Sequence, residues 1–287
     1  MRLLLALLLL LPLAACDEAT GADEAIDVVV DDAVTARQNG DLAQAVALLE
    51  GAFERAPSNA EVRVELATTL LQRDGLDLLD IDRIGRFLTE AMNPSARTAA
   101  QPRAACAAAS DPTARAFDPT DVDGFDEIYA KAQTLQRAAD LLQPVMPEAL
   151  QSFDICTSIQ DGALVYDRDG ALAALAAQGL TADQQAQALA VNALARFLDA
   201  YVFLSEELPQ QATWYQLADG SIVICADDED ALRADAEAAV EDFGQAVLSL
   251  DARAALLGSG SVAAEIVELA LDAYEEVRDG VADYCRA

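Results

Sequence analysis

The chain has 287 residues, of which 53% are apolar but only 5% aromatic, and its formal net charge is −32. That length suits one large domain or two ordinary ones, and an alanine-rich, aromatic-poor composition favours helices over a sandwich or barrel. The absence of histidine excludes a Ser-His-Asp triad, a histidine general base and any histidine-ligated zinc or iron site, and so acidic a surface repels nucleic acid and anionic headgroups.

At the start of the chain, Arg2 precedes an apolar run from Leu3 to Leu11, and the small residues Ala14 and Ala15 stand before Cys16. The run is too short to cross a bilayer, so residues 1–15 read as a secretory signal peptide. Leu13-Ala14-Ala15-Cys16 resembles the lipobox of bacterial lipoproteins. The resemblance implies that the Cys16 thiol takes a diacylglyceryl group, that the chain is cut before it and that the new amino terminus is acylated. It therefore implies an exported protein, lipid-anchored in the cell envelope, with the membrane as a partner through Cys16. Three acyl chains hold far more firmly than one. Residues 16–25 are small and polar and read as a tether; Asp17 and Glu18 do not fix which membrane or leaflet is used.

A first helix is expected over about residues 23–38, with Val29, Ala33 and Ala36 on one face. Gly40-Asp41 makes a turn between helices, and Asp41 caps the second. Ala45, Leu49 and Ala52 recur at spacings of four and three, and Pro57 ends that helix. Gly40, Asp41, Ala45, Leu49, Ala52 and Pro57 together resemble the second half of a tetratricopeptide repeat, whose period is 34 residues. The next unit opens with Leu66, Ala67 and Leu70 in pattern. Its second half diverges, because Asp74-Gly75 arrives one residue early and Arg83 and Arg86 sit where packing residues belong. The resemblance covers about residues 23–94 as one good and one degraded repeat. It implies stacked helical hairpins with a concave binding surface, and hence a non-catalytic adaptor or scaffold with a protein partner in the envelope.

Residues 95–120 contain Pro102, Pro112 and Pro119 and read as a linker. A helical domain with small hairpins follows over 121–287. Its helices are expected at about 120–143, 181–207, 228–257 and 261–284, with Thr181 to Gln184 forming a capping box. Asp161-Gly162 and Asp219-Gly220 each signal a two-residue hairpin turn. Both hairpins lead into an acidic stretch and a helix, which suggests a diverged duplication. The fold class is therefore all-α: helical-hairpin repeats plus a helical bundle carrying one or two short β-hairpins.

Apart from Cys16, the cysteines are Cys106, Cys156, Cys225 and Cys285. An even number of thiols in an exported chain points to two disulfides. Three connectivities are open, and the sequential one, Cys106–Cys156 with Cys225–Cys285, is taken as the expectation. No Cys-x-x-Cys pair suggests a metal site. The acidic residues around Gly124 miss the EF-hand pattern at two positions, with Pro119 and Ala130 where ligands belong. No catalytic residue, metal or cofactor is expected. The acidity suits either solubility in high salt or a surface for cations or a basic partner. A second functional class is a solute- or lipid-binding lipoprotein beside a TRAP-type transporter, which an apolar internal pore would favour.

Overall fold

The computed structural model describes residues 17–76, 131–202, 208–216, 222–226, 228–258 and 261–285. The signal peptide, Cys16, Cys106 and the 95–120 linker lie outside the described residues, as does the second half of the degraded repeat.

Helix α1 spans Asp17–Gln38 and α2 spans Leu42–Arg55. They meet at Gly40, whose φ of +81° is free of penalty only without a side chain. The Gly40 N–H donates to the Arg37 carbonyl at 3.0 Å and the Asp41 N–H to the Ala36 carbonyl at 2.9 Å, closing a Schellman end. Asp41 then caps α2, its carboxylate accepting from the Gln44 N–H at 3.1 Å. Ala45, Leu49 and Ala52 are fully buried, with Val46 beside them. On α1, Ala33 and Ala36 are buried as expected, together with Ile26 and Val30, while Val29 is only partly covered and packs against the same core. The expected register therefore holds at Ala33 and Ala36, and Val30 takes the fully inward place expected of Val29. The stretch read as a tether is also helical from Asp17: its alanines and early carboxylates favour a helix start, and a single Gly21 does not break it.

Pro57 lies in the exposed turn after α2. Helix α3, Ala60–Arg73, is capped by Asn59, whose side chain accepts from the Val62 N–H at 3.1 Å. It ends as α1 does. Gly75 has φ +73°, its N–H donates to the Gln72 carbonyl at 3.0 Å, and Leu76 N–H donates to the Leu71 carbonyl at 2.9 Å. Asp74-Gly75 is therefore a working helix end, with Asp74 as the capping position.

Helix α4, Ala132–Leu142, packs antiparallel on α3. Thr134 hydrogen-bonds the Asp74 carboxylate at one end, where Lys131 also donates to the Gly75 carbonyl at 3.2 Å. Arg63 donates to the Leu141 carbonyl at 2.8 Å at the other end. An ion pair of 2.7 Å between Arg137 and Glu50 joins α4 to α2. So α4 stands to α3 as α2 stands to α1, although residues 77–130 intervene in sequence.

A short 3-10 turn, Glu148–Leu150, leads to strands β1 (Ile159–Gln160) and β2 (Ala163–Leu164). Asp161 and Gly162 have φ of +51° and +75° and close the expected two-residue turn. Then come α5 (Arg168–Ala176) and α6 (Ala182–Val202). The capping box of α6 is reciprocal: Thr181 N–H donates to Gln184 Oε1 at 3.0 Å, and Gln184 N–H donates to Thr181 Oγ1 at 3.3 Å. Short α7 (Leu208–Gln211) precedes β3 (Ala212–Gln216) and β4 (Ile222–Ala226). Gln216 pairs with Ile222, which leaves an odd number of residues between them. The expected Asp219-Gly220 turn lies outside the described residues. Long helices α8 (Glu229–Leu257) and α9 (Val262–Tyr284) complete the chain.

One apolar core runs continuously from Ile26 on α1 to Ala270 on α9, and the β3–β4 hairpin rests on α8 through a small separate cluster around Ala212. The core thus crosses the boundary that the proline-rich linker suggested. Among the described residues, no helix is long and apolar enough to cross a membrane.

A disulfide joins Cys156 to Cys285, with Cα atoms 5.6 Å apart, and Cys225 is disulfide-bonded as well. The expected sequential pairing is thereby overturned. Spacing along the chain carries no information about which ends a bundle brings together. Here the end of α9 returns to the loop around Asp154, where the Cys156 N–H is held by the Asp154 carboxylate at 2.9 Å. A bridge over 129 residues stabilises by roughly 5 kcal/mol in the chain-entropy account.

The loop also drives Phe153 against the backbone of Gly244 on α8, where any Cβ would enter the buried ring. Gly244→Ala is expected to lower stability by about 1–3 kcal/mol despite the better helix propensity of alanine. Urea unfolding monitored by circular dichroism checks this.

Candidate functional site

The sequence pointed to a concave face on the repeat helices, and the structure shows what occupies it. Helix α3 is buried on all sides: Val62, Val64, Leu66, Ala67, Leu70 and Leu71 are covered, but so are Glu65, Thr68 and Thr69. A helix apolar on one stripe needs cover on one side only. This one carries polar groups on the other side, and they are met by α1 and α6.

Arg37, from the last turn of α1, approaches Glu65 to 2.7 Å, a charge contact in which the carboxylate side chain retains only 5% exposure. The second Glu65 oxygen accepts from Gln184 Nε2 at 3.2 Å, and the same amide donates to Glu61 at 2.9 Å. One turn along, Thr68 Oγ1 donates to Gln187 at 3.4 Å. The matched steps, Glu65 to Gln184 and Thr68 to Gln187, show that α6 runs parallel to α3. Thr69 satisfies itself by donating to the Glu65 carbonyl at 2.7 Å. Gln184 thus caps its own helix and docks it onto the repeat, a double role that the capping-box pattern alone did not reveal.

Helix α8 runs antiparallel along α6. Asn192 donates to buried Ser249 at 2.8 Å, Arg196 to Asp242 at 2.7 Å, and Arg253 to the Ala186 carbonyl at 3.2 Å. Near this interface Asp199 is half buried. Burial first, then the charge of Asp242, pushes its carboxyl up to about 6, while Arg196 pulls it down and Asp140 adds a smaller upward push. Asp242 is raised for the same primary reason, desolvation, with Arg196 opposing.

A shallow hollow of about 260 Å³ lies between the β1–β2 hairpin and α8, lined by Leu164, Tyr166, Asp167, Arg168, Asp169 and Asp251. Tyr166 donates to Asp251 at 2.7 Å, and Arg168 reaches the same carboxylate at 3.4 Å. Burial and the adjacent Asp251 charge drive the Tyr166 hydroxyl well above its ordinary value, so it stays protonated. These walls are largely polar. Among the described residues, no cluster of three potential metal ligands exists.

The packing residues Gly40, Asp41, Ala45, Leu49, Ala52 and Pro57 therefore build one helical hairpin and its exit. Cys156 and Cys285 meet 5.6 Å apart (Cα to Cα), Cys225 is bonded elsewhere, and Cys16 and Cys106 lie outside the described residues. Comparison with known families matches residues 36–77 to a model described as tetratricopeptide repeat. That stretch is the end of α1, all of α2 and all of α3. No curated protein and no solved structure matches the chain.

Two outcomes follow. Arg37→Ala leaves the Glu65 carboxylate without its cation and is expected to cost about 2–3 kcal/mol, toward the low end for breaking a buried pair because Arg37 keeps some solvent; thermal or urea unfolding reads it. The second concerns pH. A carboxyl whose folded value is raised from 3.8 to about 6 contributes stability that is complete below 3.8 and is lost as the pH rises through 6. Asp199→Asn should therefore match wild type in stability near pH 4 and exceed it near pH 7. A constant difference across that range would refute the titration.

Proposed function

We propose that this protein is a lipid-anchored, non-catalytic adaptor of the cell envelope that holds a protein partner through its tetratricopeptide-like helices. The observation that carries the reading is the repeat itself: the family match over residues 36–77 coincides with a Schellman-ended, Asp-capped helical hairpin whose small residues are fully buried. Such stacked hairpins serve commonly as protein-binding scaffolds. The lipobox-like residues ending at Cys16 support export and acylation.

The exposed side of α1 is the surface this reading favours. Helix α6 covers α3, whereas Asp27, Val28, Asp31, Asp32 and Thr35 form an exposed strip on α1. Four acceptor-bearing side chains around one exposed valine suit a partner helix or segment with basic residues flanking an apolar contact. The polar walls of the Tyr166 hollow support this reading over carriage of an apolar solute.

Cys16→Ser is expected to move the protein from the membrane to the soluble fraction, and its persistence in washed membranes would contradict the anchor. Affinity capture from gently solubilised envelopes should retain a reproducible partner that is lost with the Asp31→Lys, Asp32→Lys double variant. Equal retention by both proteins would contradict the α1 surface.

A further inference from the structure

Helix α9 is held to the fold in two different ways along its length. Its buried side chains, Ala263, Ile266, Val267 and Ala270, all lie in its first turns, where they join the core. Beyond Ala270 the described side chains are Leu271, Asp272, Tyr274 and Glu275, and none of them is buried. The helix nevertheless continues to Tyr284, about 20 Å further on. Between Glu275 and Tyr284 the chain carries Glu276, Arg278, Asp279 and Asp283, with Gly280 in the helix interior. Charged side chains gain little by docking on a core, and an interior glycine weakens a helix. What fixes the far end is the bond from Cys285 to Cys156.

The two ends of that bond are not alike. Cys156 stands on a braced loop. Leu150 and Phe153 are buried just before it, and Phe153 is wedged against Gly244 of α8. The Asp154 carboxylate accepts from the Cys156 N–H at 2.9 Å and from Thr157 Oγ1 at 3.2 Å. Buried Ser158 closes the turn: its N–H donates to the Asp154 carbonyl at 2.7 Å, and its Oγ accepts from the Asp154 N–H at 3.1 Å. Further along, Tyr166 donates to the Leu248 carbonyl at 3.2 Å. Cys156 is thus a fixed post on α8, and Cys285 is the end of a strap.

Cys156 and Cys285 are both exposed, so a thiolate in solution reaches the bridge without the fold opening. Exposed disulfides are the ones that exchange readily. We infer that the Cys156–Cys285 bridge is a redox-operated clasp: reduction by a dithiol frees the distal half of α9 while the helical stack stays folded. One thiolate of the dithiol attacks a sulfur of the bridge, forms a mixed disulfide and expels the other cysteine as a thiolate. The second thiol of the dithiol then displaces the remaining cysteine. The dithiol leaves as a disulfide, and two electrons and two protons pass to the protein. In the chain-entropy account the bridge acts on the unfolded chain, so opening it narrows the margin against global unfolding but removes no native contact between α1 and α8.

The full chain is treated with dithiothreitol in native buffer, the freed thiols are alkylated and located by mass spectrometry, and amide hydrogen exchange is followed in parallel. Cys156 and Cys285 should become labelled at a rate within several-fold of that in urea. Amides of residues 271–284 should then exchange many-fold faster, while those of α3 and α6 keep their protection. Oxidised glutathione should restore the slow exchange. The Cys156→Ser, Cys285→Ser double variant, in which Cys225 is untouched, should show the same pattern without reductant. A bridge that opens only in urea, or that opens with exchange over 271–284 unchanged, overturns the clasp. Loss of protection in α3 and α6 together with α9 makes the bridge a staple of the whole fold and overturns it equally.

Discussion

Glu65 is a carboxylate at the junction of three helices with almost no water to turn to, and the fold around it is the set of groups that make this tolerable. Arg37 brings the opposite charge from α1, and Gln184 brings a hydrogen bond from α6. An isolated charge in such a place would cost several kcal/mol or would protonate. Meeting it from both sides fixes how the repeat hairpin and the later helices sit together. The apolar contacts of α3 with Leu49, Leu135 and Leu189 supply cohesion, but many helix rotations would bury leucines equally well. Only one places Gln184 opposite both Glu61 and Glu65.

That constraint also explains what was legible in the sequence. Local chemistry read correctly: Gly40 at a positive φ, Asp41 as a cap, Thr181 and Gln184 as a reciprocal box, and Asp161-Gly162 as a tight turn all depend on neighbours within a few residues. The small-residue face of α2 was equally plain, because Ala45, Leu49 and Ala52 follow helical spacing. Three readings went astray wherever the answer depended on distant chain. Val29 yielded its inward place to Val30 through packing of α1 on α2. Cys156 found Cys285, not Cys106. The face of α3 was covered by α6, although α3 lies at the heart of the matched repeat. Arg37, Glu65 and Gln184 each looked like an ordinary helix-surface residue, and no spacing rule links positions separated by 119 residues.

The placement of α4 carries the same lesson at the scale of an element. Its sequence, with buried Leu135, Ala138, Leu141 and Leu142, has no glycine–aspartate signature to mark it as the partner of α3. Its role is set by polar contacts at its two ends, Thr134 with Asp74 and the Leu141 carbonyl with Arg63. A repeat read only as a contiguous period ends too early. The physical unit is a pair of antiparallel helices burying small residues between them, and residues 77–130 can stand between its halves without altering that interface.

The basic residues show why the surface remains so acidic. Arg55 donates to the Gly51 carbonyl, Arg63 to those of Pro57 and Leu141, and Arg253 to that of Ala186. These cations hold backbone ends, and among the described residues they form no ion pair. Arg37 and Arg196 pair with largely covered acids, and Arg73, Arg137 and Arg168 pair with acids nearer the surface. With one lysine in the whole chain, the solvent-facing carboxylates have few internal counter-charges, so their field is balanced by ions or by a partner.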